Sequence, residues 1–487
     1  VSALVATLAV RLASLPSWGD EADKWTEVHP PNGSRQIVGA EKEVALIFPP
    51  LPKTQRAPFF RSNAQTIGLL AGLLFAMHPV HVEAVANIVG RAELLCGIGM
   101  VGGLVLSLHR PLTGPRVLAI TGCYLLALLS KEVGIIFPLV LLALAICHRL
   151  QRQNIERSST SAGDAGTLGY AEPDVPAPDA RQRRALTWLI VSMCWILSAY
   201  IIIREQVIHL KFWWDRSFID WPTNPMVRMA GIDRLLMPIT IFGHAIALLF
   251  APLHLSLDYS GKTIGLSFDP HDRYFILGAV GIALWLIGAI AAAVRRNGGL
   301  LFCLLAFGFT YGVISNFAAL IGTIFGERLI YVPSAFLLIA LAMVLARLPR
   351  QVLIPVAACA IALGSIRTFT DGRLWNQPEQ LFREAIAHHP DSIRLYILLG
   401  SRLRIEGRLT ESKAVLEEAT RRLPDYWEVW LQSGVTSLAA EDFDEAERCL
   451  ARAVKLQPGT TTTYWLNELH ARRATTRKAT ADEDRRE

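Results

Sequence analysis

Long apolar runs alternate with short, arginine-bearing connections from Val1 to about Arg367, and beyond that point the chain becomes charged and amphipathic. A helix needs about 20 apolar residues to cross a bilayer. Runs near 1–15, 64–78, 92–109, 116–130, 133–148, 185–203, 274–294, 299–319, 329–346 and 352–368 approach that length. The pattern predicts a multi-span helical membrane domain over 1–368, with long polar loops at 15–63 and 149–184 and an outer loop at 204–273.

Basic residues orient the spans, because Lys and Arg are retained on the cytoplasmic side. Arg110 and Arg116 flank one tight turn; Arg149, Arg152, Arg157, Arg181, Arg183 and Arg184 lie in one loop; Arg295 with Arg296, and Arg347 with Arg350, make two more clusters. With all four on the cytoplasmic side, residues 204–273 start and end outside. The apolar stretch 235–252 is then not a simple crossing: it lies in the interface, dips back or forms a hairpin.

After 368 the periodicity changes again. Pro390, Pro424 and Pro458 are spaced by 34 positions, and Gly400 with Gly434, Tyr396 with Trp430, Leu416 with Leu450 and Ala419 with Ala453 keep that spacing. This is the tetratricopeptide signature, a helix pair per repeat that buries its apolar face only against a neighbour. LFREAIAHHP (381–390) reads as the second helix of a preceding repeat. Repeats are expected over 369–472 on the outer side, leaning on the membrane domain, with a charged, disordered tail at 473–487. The array's expected work is to hold a peptide or partner protein.

Composition agrees: 52% of the 487 residues are hydrophobic and 18% charged, against about 25% charged in a soluble domain. The mean hydropathy is +0.35. The net charge of +6 does not indicate nucleic acid, because the basic residues cluster beside apolar runs. Of seven cysteines, Cys96, Cys123, Cys147, Cys194, Cys303 and Cys359 sit inside apolar runs, as small hydrophobes do. Val1 opens inside an apolar run without the basic start of a signal peptide, so the chain is read as a fragment with residues missing upstream.

Ionisable groups at span ends are costly and mark candidate sites. Five clusters stand out: HPVHVEAVANIVGRAE, with His78, His81, Glu83, Arg91 and Glu93; Lys131-Glu132; WWDRSFIDWPTNP at 213–225; LSLDYS, with Asp258 and Tyr259; and GERLIYVPS, with Glu327, Arg328 and Tyr331. The charge-derived topology puts all five outside, where they form one cleft for a charged head group. The plainer reading makes His78-Pro79 a helix stop, Glu327-Arg328 an ion pair and Lys131-Glu132 a break between spans. His81 and Glu83, two apart, are poorly spaced for metal ligation on one helix face, and no metal is assigned.

HPVHVEAVANIVGRAELL, LLALLSKEVGI and ERLIYVPS, followed by the helical repeats, resemble the transmembrane and tetratricopeptide repeat-containing protein family of the C-type glycosyltransferase superfamily. The implied fold is all-α: a polytopic helix bundle of that superfamily's type followed by a tetratricopeptide α-solenoid. The resemblance implies transfer of a mannose-like sugar from a polyprenyl- or dolichyl-phosphate donor to a protein hydroxyl, outside a bacterial inner membrane or in the lumen of the endoplasmic reticulum. Such transfer needs a carboxylate to take the acceptor's proton and cations to stabilise the leaving phosphate. Arg91, Lys131 and Arg328 are candidates for the phosphate; His78, His81, Glu83, Glu93, Glu132, Asp258, Glu327 and Tyr331 are candidates for orienting donor or acceptor. The family's acidic catalytic motif follows its first span, upstream of Val1 on this reading. Asp20 and Glu21 fall on the cytoplasmic side and are not assigned to it. Beyond the lipid-linked donor no cofactor is implied, and a divalent metal is not indicated. The alternative is a non-catalytic membrane scaffold whose repeats recruit a partner. A transporter is disfavoured because no inverted repeat is visible.

Overall fold

The computed structural model describes residues 1–13, 63–109, 111–163, 180–208, 219–260, 263–265 and 267–483. The loop expected at 15–63, including Asp20 and Glu21, lies outside them apart from residue 63, as do the first residues of the 213–225 cluster.

Every apolar run folds into a helix. In chain order these are α1 (Ser2–Ala13), α2 (Asn63–Ala76), a short α3 (Val82–Ala86), α4 (Arg91–Ser107), α5 (Gly114–Ser130), α6 (Phe137–Gly163), α7 (Ala180–Ile208), α8 (Gly231–Phe250), α9 (Arg273–Val294), α10 (Gly298–Ile314), α11 (Tyr331–Leu345) and α12 (Arg350–Leu374). No strand occurs among the described residues. Among them, seven helices are long and apolar enough to cross a membrane, or eight if α2 and the segment Pro79–Ala86, bent by 55°, form one span. In lipid each backbone polar group must be satisfied within the segment, which only helices achieve here.

Packing sorts the helices into a core and a periphery. α11 lies at the centre against α1, α2, α4 and α10, and Phe336, Ile339 and Ala342 on it are fully buried. α7, α9 and α12 turn large apolar side chains outward, among them Trp195, Leu284, Ile287, Leu363 and Ile366. So much exposed apolar surface is tolerated where the solvent is lipid. α8 and α9 cross so closely that a Cβ on Gly243 would strike the Tyr274 carbonyl, and one on Gly278 the Ile239 carbonyl. Small residues that let backbones approach are characteristic of helix pairs in lipid.

The bundle has two chemically different ends. At one, Arg11 Nη2 lies 2.9 Å from His109 Nε2, and Arg116 donates to the His109 carbonyl. The other end carries the carboxylates described below. α8 is long enough to span, yet both of its ends are tied to this second end: Arg234 donates to the Phe317 carbonyl just beyond α10, and the Leu249 carbonyl accepts from His78 just beyond α2. Its middle rests on the last turns of α10 through Phe242 and Tyr311, with ring centroids 4.9 Å apart.

The repeats follow as α13 (Pro378–His388), α14 (Ile393–Ile405), α15 (Leu409–Arg422), α16 (Trp427–Ala439), α17 (Phe443–Leu456) and α18 (Thr460–Glu483). Gly400 and Gly434 occupy equivalent places, where a Cβ would come within 2.6 Å of Leu416 and Leu450 respectively. Two expectations are corrected. Residues 149–163 continue α6 rather than opening a loop, since Gln, Arg and Glu sustain a helix beyond an apolar face. The charged segment from 473 is helical to Glu483, and Arg473 is held by Asp444 and Glu447 of α17.

Candidate functional site

The site begins at a break in a helix. Pro79 lacks an N–H and disfavours helix at the residue before it, so α2 ends and His78 becomes the cap of a 3-10 turn over Pro79–His81. His78 Nδ1 accepts from the Val80 N–H at 3.3 Å, which places its proton on Nε2, donated to the Leu249 carbonyl at 2.9 Å. His81 Nδ1 donates to the Phe75 carbonyl at 2.8 Å, and its Nε2 meets the Ser334 hydroxyl of α11 at 2.8 Å. Each imidazole spends one nitrogen beside the break, on Val80 or Phe75, and the other on a neighbouring helix, α8 or α11. The Tyr331 ring packs edge-on against Phe75 and His81, with centroids at 5.1 and 4.8 Å.

Glu83 and Glu93 are buried carboxylates with cations from elsewhere in the chain. Glu83, on α3, accepts from the Arg328 guanidinium at 2.7 Å and the Arg328 backbone N–H at 2.9 Å. Glu93 lies 2.9 Å from Lys131 Nζ. The sequence neighbours of these cations look elsewhere. Glu132, exposed, meets Arg204 at 3.3 Å. Glu327 Oε1 accepts from the Ser256 N–H and the Tyr259 hydroxyl, both at 2.6 Å. Glu327-Arg328 and Lys131-Glu132 are therefore not ion pairs, because adjacent residues in a 3-10 turn or at a helix break point apart. Arg91 begins α4, is exposed, and makes no ion pair among the described residues.

Asp258 faces the repeats. Its Oδ2 accepts from the Ser260 N–H at 3.0 Å, from the Ser260 hydroxyl and from the Ser392 hydroxyl at 2.6 Å. A second tie joins Tyr426 of the repeats to Asp220 at 2.8 Å and to Glu428 at 2.6 Å. Neither Ser392 nor Asp220 was legible as a contact, since each has its partner more than a hundred residues away. Burial pushes the Tyr259 phenol well above its ordinary range, helped by Glu327.

Between the bundle and the first repeat helix lies a cavity of about 500 Å³, lined by Glu83 and Glu327, by loop residues Leu253–Leu257, by Arg367, Asp371 and Trp375 around the end of α12, and by Glu384 and His388 of α13. Arg367 and Asp371, paired at 2.9 Å, were not singled out in the sequence, and an i,i+4 charge pair at the end of an apolar run was the available signal. Among the described residues no three His, Cys, Asp or Glu side chains converge as a metal site.

The tetratricopeptide repeat family model matches residues 403–471. Among curated proteins, the chain is 25% identical over 437 residues to the protein O-mannosyl-transferase Tmtc3 of Drosophila melanogaster, covering 82% of this chain and 45% of that protein. It is 24% identical over 386 residues to the protein O-mannosyl-transferase TMTC1 of Homo sapiens, covering 71% and 41%. A shorter stretch of 93 residues is 42% identical to the protein O-mannosyl-transferase F38B6.6 of Caenorhabditis elegans, covering 19% and 13%. The chain spans somewhat under half the length of the first two relatives. No solved structure matches it. With its apolar helices, its repeats and these relatives, the chain is a membrane protein carrying tetratricopeptide repeats and similar over most of its length to the protein O-mannosyl-transferases of the TMTC family.

Proposed function

We propose that the protein transfers a mannose-type sugar from a polyprenyl- or dolichyl-phosphate donor to a hydroxyl of an acceptor protein, at the bundle end that faces the repeats, on the lumenal side of the endoplasmic reticulum membrane. The observation that carries this reading is the likeness, over 82% of the chain, to a protein O-mannosyl-transferase. The geometry supports it. In an inverting transfer the acceptor oxygen attacks the anomeric carbon while its proton passes to a carboxylate base, the bond from that carbon to the phosphate oxygen breaks, and the lipid phosphate leaves with the electron pair. Its growing charge is stabilised by cations already in place.

The three candidate cations stand in different states. Arg91 is exposed and carries no ion pair among the described residues, so it is the one open to a phosphate. Lys131 and Arg328 are 22% and 25% exposed, each held by a buried carboxylate. Glu93 and Glu83 thus fix their positions before the donor arrives, which lowers the ordering cost of binding it. Arg328 keeps a buried Nε–H without a hydrogen-bond partner among the described residues.

The test uses membranes containing the full chain, radiolabelled mannosyl phosphoryl polyprenol and an acceptor protein. Label should enter protein; Arg91→Ala should reduce it at least tenfold with expression and solubility unchanged, and Arg328→Ala, which also strands Glu83, should reduce it at least tenfold per folded molecule. Transfer unaltered in both variants would remove these residues from the site. A second reading, a membrane-held scaffold, draws on the repeat match at 403–471. It predicts partner binding with no transfer under any donor.

A further inference from the structure

We propose that the cavity between the bundle and the first repeat helix is the seat of a basic, hydroxyl-bearing peptide segment, whose cationic side chain lies against Glu327 and Glu384. The hydroxyl rests on the transferase reading above; the charge preference rests on the cavity alone.

Four carboxyl groups line the cavity, Glu83, Glu327, Asp371 and Glu384, with one guanidinium, Arg367, and the imidazoles of His254 and His388. Two of the four already hold a cation, Glu83 through Arg328 and Asp371 through Arg367. Glu327 does not. It is 2% exposed, its Oε1 takes only the Ser256 N–H and the neutral Tyr259 hydroxyl, and among the described residues no cation lies within ion-pair reach. Its other oxygen takes no hydrogen bond among the described residues, and the side chain lines the cavity. A buried carboxyl without a counter-charge keeps its proton, and a ligand cation can take that proton's place. Among the described residues Glu384 accepts only from the neutral Gln380 amide, at 2.8 Å.

The rest of the lining fits a peptide. Leu253, Leu374 and Trp375 offer apolar walls along which the stem of a lysine or arginine packs while its head reaches the carboxylates. The cavity opens on α13, the first helix of an array whose architecture presents extended binding surfaces.

The purified full chain in detergent is titrated with two fluorescein-labelled octapeptides, one with Lys and one with Glu on both sides of a central Ser, and followed by anisotropy. The Lys peptide should bind at least tenfold tighter, and its binding should weaken as salt rises. Glu384→Gln, at a partly exposed site, should weaken it several-fold, and Glu327→Gln more, each with an unchanged melting temperature. Should Glu327→Gln fail to fold, Glu384→Gln alone decides. Equal affinity for the two peptides, or an unchanged affinity in Glu384→Gln, overturns the proposal. A Lys preference in binding without sugar transfer to either peptide sinks the transferase reading and leaves the cleft standing. Equal transfer to both peptides with no binding preference does the reverse.

Discussion

Glu83 is 3% exposed and has its counter-charge from Arg328, 245 residues away. Removing one partner of such a pair strands the other, at a cost of about 3–5 kcal/mol. Arg328→Ala should therefore lower the melting temperature of the solubilised protein sharply, while Glu83→Gln with Arg328→Gln should restore part of the loss. A double variant as unstable as the sum of the singles would show that the two groups do not act as a pair. His389, in the turn after α13, gives a pH prediction. Burial lowers its pKa below the ordinary 6.5, with His388 and His254 adding to the effect and Asp258 opposing it. Its ring lies 5.2 Å from Tyr259 of the bundle loop. The docked turn resists a proton that the undocked chain accepts. Its contribution is therefore complete above about 6.5 and is lost as pH falls from there through the lowered value. Hydrogen exchange at residues 388–392 should quicken between pH 7.5 and 5.5, and His389→Gln should flatten that dependence.

At the scale of elements, helices meet where glycine leaves room. On α8 and α9 the obstruction facing a new methyl is backbone, which moves only with the whole helix. Gly243→Ala should push the pair apart and cost about 1–3 kcal/mol, the usual range for overpacking, read as a lower melting temperature in detergent. Within the repeats the corresponding atom belongs to Leu450, a side chain that rotates. Gly434→Ala should therefore cost less than Gly243→Ala, and the reverse order would show that the repeat is the tighter of the two. The apolar periodicity marked every one of these helices, but not which of them touch. The stretch at 235–252 shows the difference. Length and composition make it a span, whereas the ties of α8 through Arg234 and Leu249 hold both its ends at one end of the bundle.

For the whole molecule, the repeats are fastened to the bundle by Ser392 on Asp258 and by Tyr426 on Asp220. Asp258→Ala combined with Tyr426→Phe should let the array swing free, seen as faster proteolysis between α12 and α13 with the membrane helices still protected. Protection unchanged from the parent would mean that these two ties do not hold the array. The proposed lumenal placement has its own check. In sealed microsomes Glu417→Cys, on the exposed face of α15, should react with an impermeant maleimide only after the membrane is opened. Labelling of intact microsomes would put the repeats on the cytoplasmic side.

The sequence alone determined the elements and their class, because apolar run length, arginine placement and a 34-residue period are local properties that a single strand of text preserves. It also marked the residues that carry the candidate chemistry, since charge at the edge of an apolar run is conspicuous wherever its partner lies. The pairings were decided by the tertiary structure. Arg328 takes Glu83 rather than Glu327, Lys131 takes Glu93 rather than Glu132, and Asp258 turns to the repeats. Each choice is set by which way a short helix points after a break at His78-Pro79, Lys131 or Gly326, and by which helices pack there. The cavity with its uncompensated Glu327 exists only because α12 and α13 close over the bundle end, an arrangement no local pattern encodes.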